Sequence, residues 1–473
     1  MSNGRPLLTK SRSKNRFSLV QRRKSPIAIH REKLFQPAQI LAISFGSAIL
    51  VGTLLLMIPA FSAAGRLSFI DALFTSTSAI CVTGLVVVDT ATHFTLAGQI
   101  LILVLIQLGG LGIMTFSTMV LLAAGRPITI HDRILVQEGY HPGSPRNFKS
   151  LVKNIFLFTA VIEGSGFILL SFRFLREETW AKALFSGLFH SVSGFCNAGF
   201  SIYSDSLTGF RGDVFVNLIM AHLIIFGGLG FLVIGETVKS GGGLLKGKKL
   251  KLSLHSKMVL TSTTILIIGS FVLFLVLEKD GALSAFSWKD KILASFFQVI
   301  TPRTAGFNTI DMTTLGTASV LLMMLLMFIG ASPGSTGGGV KTSTFGVVLA
   351  FIRSKVAARE SIHMFYRTIP QDNVVRAFTL ISLSMSLIFV AGFVILINQP
   401  GMLMKDAFFE VFSGFGTVGL SLGITPQLSG LSKVMVILLM YAGRIGPLTL
   451  LLAFSRRRAL GKYEYIEERV LIG

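Results

Sequence analysis

Long apolar windows recur along the chain, at Pro37–Met57, Leu96–Ala124, Leu151–Phe172, Val214–Ile234, Lys257–Leu277, Leu315–Ile329, Val374–Ile397 and Leu431–Phe454. Most reach the ~20 residues that a helix needs to span a bilayer, so the pattern predicts eight transmembrane helices. Within each pair of windows lies a shorter stretch of repeating form. Phe74 to Leu85 returns without a gap at Phe189 to Phe200, Phe296 to Phe307 and Phe409 to Leu420, each copy opening with Phe and carrying Gly at its eleventh position. The copies start 115, 107 and 113 residues apart, a period that predicts four related quarters around one axis.

Each quarter reads as outer helix, short half-helix, extended loop and inner helix. In the first, Gln36–Pro59 is the outer helix, Phe69–Ile80 the half-helix, Cys81–Val87 the loop and Leu96–Ala124 the inner helix. At ~1.5 Å per residue the half-helix is too short to cross, so it enters and leaves on one side. The predicted fold is an all-α membrane protein of four pseudo-symmetric helix–pore-loop–helix repeats, with eight transmembrane helices and four re-entrant pore helices around a central pore. The repeats occupy residues 37–124, 150–238, 254–350 and 373–455, between an arm (1–36) and a tail (456–473).

Composition places these helices in lipid. Of 473 residues, 51% are hydrophobic and 14% charged, against about 25% charged in soluble domains. The net charge of +22 would suit nucleic acid, but its placement argues otherwise. Residues 1–36, 125–149, 239–257, 351–372 and 455–473 hold 29 of the 44 Lys and Arg, and they fall at alternate ends of the apolar windows. That asymmetry marks the cytoplasmic side, so both termini are expected there, on a multi-pass protein of the plasma (inner) membrane. No aromatic-basic reading surface accompanies the charge, which excludes nucleic acid as a partner. The arm has no sustained apolar region and is not a signal peptide; it reads as a disordered segment able to touch anionic membrane lipid. Cys81 and Cys196 hold the same place in two copies, where packing behind a loop is their expected role.

Non-helical backbone at membrane depth is tolerated only where protein buries it or it lines water. Four hairpins therefore point inward together, offering carbonyl oxygens to whatever passes, while the negative C-terminal ends of the half-helices face the space beneath. Such a ring suits a dehydrated monovalent cation. Gly84, Gly199, Gly306 and Gly419 fit this role because carbonyls facing one side demand backbone angles that a Cβ resists.

The third inner helix is anomalous. From Thr314 to Ala350 it is about twice the length needed to span, and Ala331–Gly339 interrupts it with one Pro and four Gly. Pro removes a backbone donor and each Gly costs a helix ~1 kcal/mol, so the stretch cannot be continuous helix. Counting from Thr317 to Ile329 puts the break roughly 20 Å below the outer surface, under the ring. A small, polar, flexible segment there is a candidate gate. Two intramembrane cations accompany it, Lys341 and Arg444, and alignment of the inner helices at Gly109, Gly227, Gly330 and Gly443 sets Arg444 beside the first loop residues. Arg444 is expected to donate hydrogen bonds to loop carbonyls and hold the closed state. Glu163 is expected to pair with a buried Arg or Lys, Arg303 to point behind the ring toward a carboxylate such as Glu410, and His190 to be a hydrogen-bonded packing residue.

Phe74–Leu85 with its three echoes, the run Phe328–Thr342 and the segment Tyr441–Pro447 resemble the Trk/Ktr/HKT superfamily of cation transporters. The resemblance runs from about Phe35 to the C-terminus and is nearest to the membrane subunits of Ktr systems, whose ending Lys462–Gly473 also resembles. It implies a selectivity filter built from the backbone carbonyls of Val82, Thr83 and Gly84; Asn197, Ala198 and Gly199; Thr304, Ala305 and Gly306; and Thr417, Val418 and Gly419. It also implies a gate made by Gly330, Ala331, Ser332, Pro333, Gly334, Ser335, Thr336, Gly337, Gly338, Gly339, Lys341 and Arg444. Members that favour sodium carry Ser at the place of Gly84, so potassium is the implied substrate, held at the filter residues, with sodium as a candidate activator and no covalent cofactor. The implied partners are a second copy, forming a homodimer, and a cytosolic nucleotide-binding regulatory ring.

Two other classes of protein fit the residues less well. A sodium-coupled secondary transporter of an organic solute would need inverted repeats, whereas these quarters share one orientation, each beginning at a basic end. An enzyme would need a nucleophile or acid–base constellation, and none is legible. Gly337–Thr342 and Gly242–Lys249 depart from the phosphate-loop pattern.

Overall fold

A helix in lipid satisfies its backbone along its own axis, which is why the long apolar runs form helices. The computed structural model describes residues 37–112, 148–244 and 252–454. The first quarter holds α1 (Pro37–Leu56), α2 (Phe69–Ile80) and α3 (Leu96–Leu111), and the second α4 (Phe148–Phe174), α5 (Trp180–Phe195), α6 (Val214–Leu229) and α7 (Phe231–Leu244). The third holds α8 (Leu254–Glu278), α9 (Trp288–Ile300), α10 (Thr317–Phe328) and α11 (Thr342–Val356). The fourth holds α12 (Gln371–Asn398), α13 (Met404–Gly416), α14 (Gly430–Ile445) and α15 (Pro447–Phe454). Between α11 and α12 a hairpin pairs His363 with Thr368 and Met364 with Arg367.

Helices α1, α4, α8 and α12 are long and apolar enough to cross a membrane. They turn Leu54, Ile168, Ile265 and Phe393 outward, while the buried core lies among the shorter elements. The chain's two tryptophans, Trp180 and Trp288, are exposed at the first positions of α5 and α9, where amphipathic rings suit a lipid–water boundary.

The inner helices differ from the straight spans that hydropathy suggests. α6 and α7 meet at 104°, α14 and α15 at 96°. Each bend falls on a glycine with left-handed backbone, Gly230 (φ +89°) and Gly446 (φ +95°), and Gly112 (φ +80°) ends α3 the same way. The remainder of the expected helix Leu96–Ala124 lies outside the described residues, as do the arm 1–36, the tail 456–473 and most of the basic stretch after Gly242. Three residues before each bend stands a second glycine with a different task. A Cβ on Gly109 would run into the carbonyl of Ile80, one on Gly227 into that of Phe195, and one on Gly443 into that of Phe415. All three glycines thus let a half-helix end press against an inner helix, and at Gly230 and Gly446 that helix then turns away.

Two of the four half-helices, α2 and α9, start with a side-chain cap. Ser68 Oγ accepts from the Asp71 N–H and Ser287 Oγ from the Asp290 N–H, both at 3.2 Å. The opening phenylalanines of the repeat are buried at Phe74, Phe189 and Phe409, but in the third quarter the fully buried ring is Phe297, and Phe296 is only partly covered. The ungapped alignment therefore slips by one residue in α9. Left-handed backbone begins at Thr304, three residues after Thr301, but at Val82 it begins four residues after the corresponding Ser78. Pro302 lies in this shortened turn.

Gly109→Ala should destabilise the protein by about 1–3 kcal/mol, the usual cost of overpacking a tight contact. Gly164→Ala, inside α4 and with nothing within 4 Å of the added Cβ, should not lower the thermal unfolding midpoint in detergent and should raise it slightly.

Candidate functional site

Where each half-helix ends, the backbone changes hand twice. Val82, Asn197, Thr304 and Thr417 take φ of +57°, +58°, +70° and +50°, and two residues later Gly84, Gly199, Gly306 and Gly419 take +89°, +70°, +78° and +95°. For β-branched Val82, Thr304 and Thr417 this region is a true outlier, and such strain survives only where the surroundings over-determine it. The surroundings here are the other three copies. A Cβ on Gly84 would meet Ala198 O and Gly199 Cα, one on Gly199 would meet Ala305 O and Gly306 Cα, one on Gly306 Val418 O and Gly419 Cα, and one on Gly419 Thr83 O and Gly84 Cα. The contacts close into a ring in which every glycine stands beside the next, with backbone where a side chain would have to be.

Side chains from the half-helices brace these segments. The Gly84 N–H donates to Ser78 Oγ (3.0 Å) and the Gly419 N–H to Ser413 Oγ (3.1 Å). Ser193 Oγ donates to Phe200 O (2.8 Å) and Thr301 Oγ1 to Phe307 O (2.6 Å). Sequence reasoning passed over these four hydroxyls. Their signal was present: Ser78, Ser193 and Ser413 all hold the fifth position of their copies, and Thr301 follows that register once α9 is shifted by one.

On one side of the ring lies a cavity of about 780 Å³, whose lining includes all four ring glycines together with Asp89, Asp205 and Asp311. Against the other side lies the loop joining α10 to α11. The Gly338 N–H donates to Thr417 Oγ1 (3.1 Å), and a Cβ on Gly337 would meet Thr304 Oγ1. The neck of the loop is closed by the Gly330 N–H on Val340 O (2.9 Å) and the Thr342 N–H on Ala331 O (3.3 Å). Its body hangs from the second quarter: the Ser332 N–H donates to Gly228 O (3.0 Å), the Thr336 N–H to Gly227 O (3.2 Å), and the Phe231 N–H to Gly334 O (3.0 Å). Lys341 Nζ donates back to Gly337 O (2.7 Å) and Gly338 O (3.4 Å). The Arg444 guanidinium donates to Thr336 O and to Gly109 O. It thus meets the middle of the loop, where helix alignment placed it at the beginning, and it also ties in the first inner helix.

The family model for TrkH, described as a cation transport protein, matches residues 17–464. The chain belongs to the TrkH family. It is 40% identical to the Ktr system potassium uptake protein B of Bacillus subtilis (strain 168), over 89% of this chain and 94% of that protein. It is equally 40% identical to the potassium/sodium uptake protein NtpJ of Enterococcus hirae, over 93% of this chain and 98% of that one. A crystal structure of the potassium transporter TrkH from Vibrio parahaemolyticus shares the fold, with a TM-score of 0.71 at 21% identity, covering 90% of this chain and 86% of that one. With its apolar helices, this TrkH-family chain is an integral membrane protein.

Among the ionisable groups of this TrkH-family chain, Arg303, Glu410 and Glu163 find partners other than those expected, whereas His190 is a hydrogen-bonded packing residue as expected. Arg303 does not meet a carboxylate: its Nη2 donates to Thr263 Oγ1 on α8 (3.1 Å), and no ion pair among the described residues includes it. The short turn into Thr304 sends the side chain away from the ring and against α8. Glu410 instead accepts from Ser421 Oγ (2.8 Å) and Thr425 Oγ1 in its own quarter. Glu163 accepts from Gln107 Nε2 (3.2 Å), with Cys196 Sγ 3.7 Å from its other oxygen, and likewise has no cationic partner among those pairs. His190 is held between Ser186 O (2.8 Å) and Ser201 Oγ (3.0 Å) and stacks on Tyr203. Cys81 and Cys196 are buried free thiols.

Proposed function

We propose that this chain is the ion-translocating subunit of a potassium uptake system of the Ktr/Trk kind, passing potassium down its electrochemical gradient through a pore formed by its four quarters. The observation that carries the reading is the closed ring of Gly84, Gly199, Gly306 and Gly419, with a cavity on one side and a hydrogen-bonded loop on the other. An alkali ion leaving water needs several oxygens to replace its shell, and rings of backbone carbonyls supply them without a mobile charge. The carbonyls of Val82–Gly84, Asn197–Gly199, Thr304–Gly306 and Thr417–Gly419 are the proposed filter. Because the four segments differ in sequence, discrimination should be looser than in a ring of identical loops. Eight spans and four re-entrant half-helices, with both termini cytoplasmic, set the cavity outside and the loop inside.

In this reading the loop Gly330–Gly339 with Lys341 is the gate, and Arg444 is its latch. Arg444 binds carbonyls of the loop and of α3 at once, so freeing the loop means breaking charge-assisted bonds in a place poor in water. Its positive charge also opposes a passing cation. A homodimer governed by a cytosolic nucleotide-binding ring is proposed because the chain resembles Ktr proteins over most of its length. Sodium is proposed as an activator, since one relative is named for both ions.

Rubidium uptake into proteoliposomes, with potassium, sodium and organic solutes as competitors, tests the whole. Potassium should compete best and organic solutes not at all; uptake driven by an organic solute would refute the reading. Arg444→Ala should raise unregulated rubidium flux roughly ten-fold, the shift that losing ~1.5 kcal/mol of charged hydrogen bonding gives; unchanged flux would remove Arg444 from the gate.

A further inference from the structure

We infer that the hydroxyls of Thr304 and Thr417 form an innermost alkali-cation site at the base of the ring, and that the loop closes the pore by occupying that site with a backbone amide. The inference rests on the permeation reading above and adds ligands that are side chains, not carbonyls.

The four segments begin with Val82, Asn197, Thr304 and Thr417, all fully buried. Adjacent loop residues touch two of them, Gly338 through its N–H on Thr417 Oγ1 and Gly337 by close approach to Thr304 Oγ1, so one short stretch of the loop lies against both hydroxyls beneath the ring. The Asn197 amide nitrogen can donate to Gly194 O (3.0 Å) and Ile224 O (3.2 Å), which turns its oxygen toward Thr304 Oγ1 as a third oxygen at that level. The fourth member, Val82, brings only methyl groups.

A hydroxyl oxygen has two lone pairs to give. At Thr417 one is given to the Gly338 N–H, whose positive end stands where a cation would otherwise coordinate. Only a residue without a side chain can come so near, since a Cβ on Gly338 would collide with the Thr417 side chain. The second lone pair stays free, so the rivalry is one of charge and space: the positive end of the N–H and a cation repel each other at one oxygen. Ion occupancy at the base opposes loop closure, and loop closure expels the ion, by the same factor in both directions.

Thr417→Val tests this without asking the backbone for anything new, because Val82 already holds a valine at the matching position with φ +57°. In proteoliposomes Thr417→Val should raise unregulated rubidium flux about five-fold, the shift expected from losing one net hydrogen bond. It should also lower the preference for potassium over sodium, and Thr417→Ser should restore both properties. In detergent, potassium should raise the unfolding midpoint of the wild type more than that of Thr417→Val, a readout independent of transport. Higher flux with unchanged ion preference and unchanged potassium stabilisation would make the hydroxyl a latch only and overturn the site; no change in any measurement would overturn both parts. If the wild-type protein carries no rubidium, the permeation reading fails first, and the two failures are distinguishable.

Discussion

Peptide groups left unpaired in hydrocarbon cost several kcal/mol each, and this chain leaves helical geometry four times in the middle of its apolar mass. That cost organises the molecule. The ends of α2, α5, α9 and α13 can stop only because each following segment is surrounded by the others and because Ser78, Ser193, Thr301 and Ser413 take up its backbone groups. Gly109, Gly227 and Gly443 let inner helices come close enough to shield three of those ends, and Gly230 and Gly446 then turn the chain aside. One constraint thus accounts for the polar residues in the half-helices, the paired glycines and the left-handed residues.

The quarters are alike in plan and unlike in detail, and the third departs furthest. Its inner helix is interrupted by a loop that borrows partners from every other quarter: Gly109 through Arg444 in the first, Gly227 and Gly228 in the second, and Thr417 and Arg444 in the fourth. A segment fastened by hydrogen bonds from several directions, with little apolar surface of its own, is ordered by its neighbours and not by a core. Local stability of that kind is low compared with packed helices, which suits an element proposed to move.

Much of this plan can be read before any coordinates. The glycines that meet around one axis are those the repeat marks at its eleventh position, and the break in the third inner helix announces itself through Pro333 and its neighbouring glycines. Other features were hidden for identifiable reasons. Phe296 and Phe297 are adjacent, so an alignment on Phe cannot tell which one is buried, and the turn at Pro302 conceals a missing residue. Hydropathy records how apolar α6 and α14 are but not their direction, so bends near a right angle leave no trace in it. The reach of Arg444 to Gly109 joins residues 335 positions apart, and the pairing of Arg303 with Thr263 depends on where a short turn aims its side chain. Contacts between distant parts of the chain are set by the completed packing, and local pattern carries little of them.

All four quarters belong to one polypeptide, so each wall of the ring has its own coding sequence. In an assembly of identical subunits, any substitution would strike every wall together, and evolution could only adjust the opening in multiples of four. Here Val82 can exchange without touching Thr417, and among the described residues only the third quarter carries such a loop within its inner helix. Independent tuning of single walls allows small steps in ion preference and gating, at the expense of the exact rotational equivalence that identical copies would guarantee.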